Sequence, residues 1–517
     1  MISMRANMFL SRARLKQLLA PWAVQYIKIV LSSFRKYRSA YQLLAFPIKN
    51  YFYAAIVACF PNGHWGYEKI LTLIFAHRDS DVISRSEWFL YYFQRYQKLY
   101  PECVLKWRVG ASVSYLMLHD VEKLQNVMQA YADIQERIIG KKQLDALGFR
   151  IITVNLFGAY NLHAWLDTHV KATLLGWLPK YKLIQLIRPG EQIVNPVMLD
   201  YWKKYFDVIV DEEAIELLSP LRKYLEEDLT LAATLRGKAV YIEHAKGVVQ
   251  KEWERQGRRP LLQLNADDQE FGREQLAKAG LPRDAWFVSL HVRDAGYKQG
   301  SHLAEDESDS YRNADIESYK LAIQEVVRRG GYVVRVGDPK MKPFVSMEGV
   351  FDYALSDIRS NRTDVFLFSQ CRFFVGVSSG PLLTPGLFGV PVVMTNFAPM
   401  SGRPHAGNCI FIPKLLWMRD ERRYATFHEV LSSDLGRMFT SHGYAEKGID
   451  IIDNSPEELR DVVVEMLDRL DGNAVYSEED EKRQGSITAL YQKYSGYGDL
   501  GRMGNVFVKN YASQGLL

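Results

Sequence analysis

His291 and Arg293 stand two residues apart at the end of the apolar run WFVSLHVRD, residues 286–294. Side chains two apart on a strand share a face, so both are expected to project from one end of a buried strand. A guanidinium there can grip a phosphate through two parallel hydrogen bonds; the structural alternative is an ion pair with the adjacent Asp294. A second run, CRFFVGVSSGPLLTPGLFGVPVVMTN (371–396), reads as strand, turn, short helix and strand. Its turn offers the hydroxyls of Ser378 and Ser379, with Gly380 just ahead of a helix start. Unpaired N–H groups and the helix dipole favour an anion in such a position. RVGDP ends a third strand and brings Arg335 and Asp338 to the same edge, with Asp338 suited to a ribose or sugar hydroxyl and Lys340 and Lys342 to phosphate. An ordinary Gly-Asp-Pro turn is the other reading. Arg312 precedes a helix over 315–329, N-capped by Asp315, and can reach back to the same ligand. A phosphorylated ligand at the carboxyl edge of a parallel sheet suits this set.

For a general base the pattern offers His163 and Asp167, four residues apart on one helix face, so that the carboxylate can orient the imidazole. A surface pair on an amphipathic helix is the alternative. No metal site is expected: Asp79-Ser80-Asp81 lies in a helical stretch rather than after an apolar strand, and Asp306 and Asp309 read as parts of a mobile polar loop. Walker, H-E-x-x-H and G-x-S-x-G patterns are missing, against P-loop nucleotide hydrolysis, zinc proteolysis and esterase chemistry. No cofactor is implied.

The elements that must position these groups follow an alternating rhythm. Residues 1–147 read as helical throughout. From Arg150 the texture changes: strand RIITVNLF, a helix over 161–175, strand 183–187, a helix from 196 to 205 and strand 207–210. A polar stretch over 251–269 reads as a bridge, after which strands at 286–293, 332–337, 372–377 and 391–395 alternate with helices. Ser455 with Glu458 forms a capping box before LRDVVVEMLDRL. The expected division is a helical region 1–147, a Rossmann-like domain 148–265 and a second Rossmann-like domain 266–517 with C-terminal helices. The four cysteines show no C-x-x-C spacing, so neither a zinc site nor a disulfide framework follows and a reducing cytoplasm is expected.

Charge is unevenly spread. The first 67 residues hold nine Lys or Arg and no acid, which leaves 56 basic against 60 acidic residues in the remainder. Interleaved with Leu18, Leu19, Trp22, Tyr26 and Phe34, these charges read as a basic amphipathic arm that lies on an anionic membrane surface through residues 1–60. The most apolar run, residues 51–60, is about half the length of a spanning helix. Nucleic acid is not the expected partner.

HVRD, SYRNADIESY, GGYVVRVGDP, DYALSD, CRFFVGVSSG and LFGVPVVMTN, in this order, resemble the C-terminal domain of a family of bacterial GT-B glycosyltransferases known mainly from sequence and sometimes fused to helical repeats. LDYWKKYFDVI resembles its N-terminal half. The H-x-R strand end is also similar to the donor motif of GT-B fucosyltransferases, and SSGP to the donor loop of bacterial heptosyltransferases. The resemblance implies an α/β, GT-B-like pair of Rossmann-like domains facing a cleft, a nucleotide-sugar donor in the second, no required metal, and an acceptor in the first. Arg293 would hold the pyrophosphate with Ser378, Ser379 and Gly380 beside it. The Gly-His pair expected early in the first domain is Gly158-Ala159 here. The function implied is sugar transfer to a glycan or lipid-linked acceptor at the cytoplasmic face of the plasma membrane, in polysaccharide or glycoconjugate biosynthesis. A sugar transferase with another activated donor, and a non-catalytic GT-B-like scaffold of a glycan-assembly complex, are the alternatives.

Overall fold

The computed structural model describes residues 64–76, 82–117, 120–152, 154–179, 181–229, 232–298, 308–402, 404, 406–494 and 501–517. The basic arm, the run 51–60, Asp79 to Asp81 and Asp306 lie outside the described residues. The chain divides into two compact units, Met1–Arg137 and Ile138–Leu517. In the first, the helices His64–Ala76, Val82–Leu99, Val104–Met117 and Val121–Lys141 follow one another, the last running across the boundary. Their apolar stripes meet: Ile70, Leu71, Ile74, Phe93 and Tyr96 are buried, and Tyr67 stacks on Tyr96. No helix among the described residues is long and apolar enough to cross a membrane.

The second unit is α/β and holds two parallel sheets. The first sheet consists of β1 (Phe149–Ile152), β2 (Lys182–Leu186), β3 (Asp207–Ile209) and β4 (Glu226–Glu227), in the order β3-β2-β1-β4. A hairpin of β5 (Ala232–Leu235) and β6 (Lys238–Tyr241) follows. The larger sheet contains β7 (Phe287–His291), β8 (Tyr332–Arg335), β9 (Val350–Phe351), β10 (Phe374–Gly376), β11 (Val392–Phe397), β12 (Ile410–Pro413) and β16 (Arg502–Met503), in the order β16-β12-β11-β10-β7-β8-β9. A small antiparallel sheet, β14-β13-β15, is built from β13 (Leu415–Met418), β14 (Arg423–Tyr424) and β15 (Ile449–Ile452).

These strands are near-continuous apolar runs because parallel sheets are covered on both faces; every residue of β7, β10 and β12 is buried. The capping box is present, with Ser455 Oγ accepting from Glu458 N and Glu458 accepting from Ser455 N. Asp315 caps a 3-10 turn, Ile316–Tyr319, which leads into the helix Lys320–Arg328, so the single helix expected there starts with a tighter turn.

The expected bridge over 251–269 is shorter and packed. The helix Ile242–Arg255 runs into it, the helix Ala266–Lys278 starts within it, and Leu261 and Leu262 between them are buried. The first sheet's main core, built on Ile152, Leu166, Met198 and Trp202, continues into Val365 and Leu387, which flank the strand β10 of the larger sheet in sequence. Asn195 joins the halves by hydrogen bonds as well: its Oδ1 caps the helix Pro196–Trp202 while its Nδ2 donates to Tyr160 Oη and to the carbonyl of Asn361.

Candidate functional site: the switch-point crevice of the larger sheet

In the larger sheet the chain leaves β7 toward β8 and β9 on one side, and β10 toward β11 and β12 on the other. β7 and β10 are neighbours in parallel register, Gly376 opposite His291. The strand order therefore reverses between them, and the crevice outside such a reversal is where open α/β sheets take ligands. Arg293 lies just past the end of β7 and the Ser378-Ser379-Gly380 loop just past β10.

Arg293 is buried. Its Nη1 donates to the carbonyl of Asp309 at 3.0 Å and to Asn313 Oδ1, and its Nη2 lies 3.6 Å from Asp309 Oδ2. Arg312 meets the same carboxylate at 2.7 Å. The partner is thus Asp309 and not Asp294, whose carboxylate accepts from Gly296 N and Lys342 N. Asp309 is correspondingly no free loop residue: two arginines hold it, and Ser308 beside it accepts from Ser441 N. His291 is buried with Nδ1 3.1 Å from the carbonyl of Val336, and burial pushes its pKa down to about 4. It therefore packs in the neutral form beneath Arg293 and does not face the crevice as a charged group.

Ser378 Oγ accepts from Ala398 N at 3.1 Å, tying the loop to the end of β11. Ser379 Oγ is out of solvent with no hydrogen-bond partner, as is Thr384 Oγ1 further along. Gly380 sits at ordinary helical angles (φ −56°, ψ −51°), and the chain after it forms a 3-10 turn, Pro381–Leu383, and a helical turn, Thr384–Leu387. The short helix expected there is realised as these two turns. Within the Ser378-Ser379-Gly380 loop, the unsatisfied group is the Ser379 hydroxyl.

The sequence-predicted pair Arg335 and Asp338 is committed elsewhere. Arg335 is buried, with Nη1 2.8 Å from Asp352 Oδ2 and Nη2 2.6 Å from the carbonyl of Lys342. Asp338 accepts from Lys340 N at 2.9 Å and closes its own turn. A guanidinium that deep is retained only with its charge paired; Asp352 and the Lys342 carbonyl take Nη1 and Nη2, while Nε is buried without a partner. The turn reading of RVGDP is the one realised.

His163 and Asp167 are not a dyad. His163 is fully buried among the rings of Phe157, Tyr160 and Trp202, neither ring nitrogen has a partner, and burial lowers its pKa to about 3. Asp167 pairs instead with Lys171 at 2.6 Å, both side chains buried, beside a cavity of about 30 Å³ that Gln250, Leu382 and Leu387 also line. Their helix, His163–Leu174, is buried along most of its length, so the amphipathic-surface reading fails as well.

Three groups that sequence reasoning passed over belong to the crevice region. Lys414, the residue after β12, is buried with Nζ 2.7 Å from Asp453 Oδ1 and 2.5 Å from the carbonyl of Asn313. Burial lowers its pKa, Asp453 opposes the shift and the nearby Arg293 adds to it. A lone lysine inside the apolar run CIFIPKLLWM was the signal available. Asp364, on the helix Asn361–Gln370, is partly buried and accepts from Tyr353 Oη at 2.7 Å. Burial raises its pKa, against Tyr353, Arg359 and the hydroxyl of Tyr160 from the first domain. Asn396 and Asn454 exchange backbone-to-side-chain hydrogen bonds at 2.6 and 2.7 Å, and Asn396 adopts φ 47°, which fixes the end of β11.

No protein-family model matches the chain, and no curated protein matches it. Among solved structures it is similar to a glycosyl transferase family 9 protein from Veillonella parvula DSM 2008, with 12% identity, 51% of this chain and 86% of that chain covered, and TM-score 0.32. It is similar to the E. coli ADP-heptose lps heptosyltransferase II at 12% identity, covering 52% and 90%, TM-score 0.30. The iron-containing dodecameric glycosyltransferase TibC from enterotoxigenic E. coli H10407 matches at 14% identity over 48% and 57%, TM-score 0.27. Similarities of this size carry no argument about a reaction; the crevice itself must.

Proposed function

We propose that the protein is a glycosyltransferase that moves a sugar from a nucleotide-sugar donor to a glycan or lipid-linked acceptor. The observation that carries this reading is the pairing of a buried Arg293 with the Ser378-Ser379-Gly380 loop across the strand reversal between β7 and β10. In the transfer, an acceptor oxygen bonds to the anomeric carbon while the bond from that carbon to the phosphate oxygen breaks. The electron pair leaves with the nucleotide. Negative charge then grows on the phosphates, and pre-set donors aimed there stabilise the transition state. Arg293 and the Ser379 hydroxyl are the donors on this side. Asp364, on the helix Asn361–Gln370 and accepting from Tyr353 Oη at 2.7 Å, is the carboxylate we assign to take the acceptor's proton, a role that the upward push of burial on its pKa favours. Residues 1–60 would hold the enzyme on an anionic membrane at the cytoplasmic face.

A thermal-shift screen of the full chain against ADP, GDP, UDP and CMP and their sugar conjugates tests this. A ligand at 100 times its dissociation constant adds about 2.7 kcal/mol to stability. A selective shift, lost in Arg293→Ala with folding intact, is the expected result; in Asp364→Asn the shift stays and turnover is lost. No shift with any nucleotide would sink the reading. It would favour the non-catalytic scaffold, to which the burial of His163 and the internal pairing of Arg293 are already friendly. For the arm, the same chain lacking residues 1–60 should no longer sediment with phosphatidylserine vesicles.

A further inference from the structure

Asn313 is gripped from two directions by cations. Arg293 donates to its side-chain oxygen, and Lys414 donates to its carbonyl at 2.5 Å. Two buried positive groups on one residue repel each other unless anions lie close by. Here each has a carboxylate over it, Asp309, shared with Arg312, over Arg293 and Asp453 over Lys414. The layering has a direction: the cations' side chains are 7% and 3% exposed, the carboxylates 32% and 44%. The buried pair Asp167–Lys171 shows the other arrangement, with both members out of solvent. Asp352, which covers Arg335, is pinned by Phe344 N as well. Asp453 follows the end of β15 and, among the described residues, pairs with Lys414 alone. Rotation of its side chain into water would uncover the ammonium without disturbing the strand.

We propose that Lys414 is a second cation of the donor's phosphate site, working beside Arg293, and that Asp453 occupies a phosphoryl position until the donor displaces it. This rests on the glycosyltransferase reading and adds to it a binding residue from the far side of the sheet, β12. Arg293 approaches from the β7 side and Lys414 from the β12 side, so that a diphosphate between them would meet one cation at each end.

The test is the dissociation constant of ADP, GDP and UDP, measured by calorimetry on the full chain and on Lys414→Gln, Lys414→Arg, Asp453→Asn and Arg293→Ala. For whichever nucleotide binds the wild type, Lys414→Gln should weaken binding by about tenfold or more, about 1.4 kcal/mol. Lys414→Arg should retain most of it. Asp453→Asn should tighten binding several-fold, because the competing carboxylate is gone while the lysine remains. Should Lys414→Gln fail to fold, the Asp453→Asn comparison still decides, since it removes no buried cation. Binding that is lost in Arg293→Ala but unchanged in Lys414→Gln, or weakened in Asp453→Asn, overturns this inference and leaves the glycosyltransferase reading standing. Absence of nucleotide binding in the wild type overturns both.

Discussion

Asn195→Ala should destabilise the second unit by about 2 kcal/mol, and the structure divides that cost into two parts. The side chain is fully buried. Its Oδ1 accepts from Val197 N at 3.0 Å and Met198 N at 3.1 Å, the N-cap of the helix Pro196–Trp202. Losing such a cap costs about 1 kcal/mol. Its Nδ2 donates to Asn361 O at 2.9 Å and Tyr160 Oη at 3.1 Å. These two acceptors lie where the domains meet, and a lost neutral hydrogen bond contributes roughly 0.5–1.5 kcal/mol. Because Asn361 is exposed, water can re-solvate its carbonyl, which keeps this part near the low end. Asn195→Ser separates the parts, since serine still caps but reaches neither acceptor; it should recover about 1 kcal/mol of the loss. Urea unfolding of the full chain, followed by far-UV circular dichroism, reads both variants. If serine proves no better than alanine, or if both lie within about 0.5 kcal/mol of wild type, the account of this residue as cap and inter-domain tie is refuted.

Two further outcomes follow from packing and burial. In Gly272→Ala, the new Cβ would overlap the ring of Phe366 on the helix Asn361–Gln370. Overpacking of about 1–3 kcal/mol should then exceed the helix-propensity gain of about 1 kcal/mol, and a more stable variant would show that the two helices part easily. His163, His169 and His291, lowered by burial to about 3, 4 and 4, should keep neutral ring-proton shifts by NMR down to pH 5; titration near 6.5 in all three would contradict the burial. Since the unfolded chain binds these protons first, the stability these rings contribute is full above pH 6.5 and is lost as pH falls toward their folded values, at roughly 1.4 kcal/mol per pH unit for each ring.

The local features were legible because their causes are local. The capping box at Ser455 and Glu458, the Asp315 cap and the buried strands ending near His291, Arg335 and Gly376 each depend on residues within a few positions. The basic bias of the first 67 residues is likewise a property of composition. Partner choice was not legible. Arg293 and Arg335 both end buried strands, yet one meets Asp309 and Asn313 near the strand reversal and the other is consumed by Asp352 and the Lys342 carbonyl. Helical spacing set His163 and Asp167 on one face, but a lysine one turn further, Lys171, took the carboxylate while aromatic rings enclosed the imidazole.

What the sequence determined by itself was therefore the kind of elements, the alternation that makes parallel sheets, and the presence of cations and hydroxyls at strand ends. The tertiary structure decided which strands became neighbours. The order β11-β10-β7-β8 sets the reversal beside Arg293 and Ser379, and the addition of β12 brings Lys414 to Asn313, 101 positions away in the chain. Parallel pairing is dictated by how whole buried faces cover one another, a long-range balance to which no single run of residues holds the key.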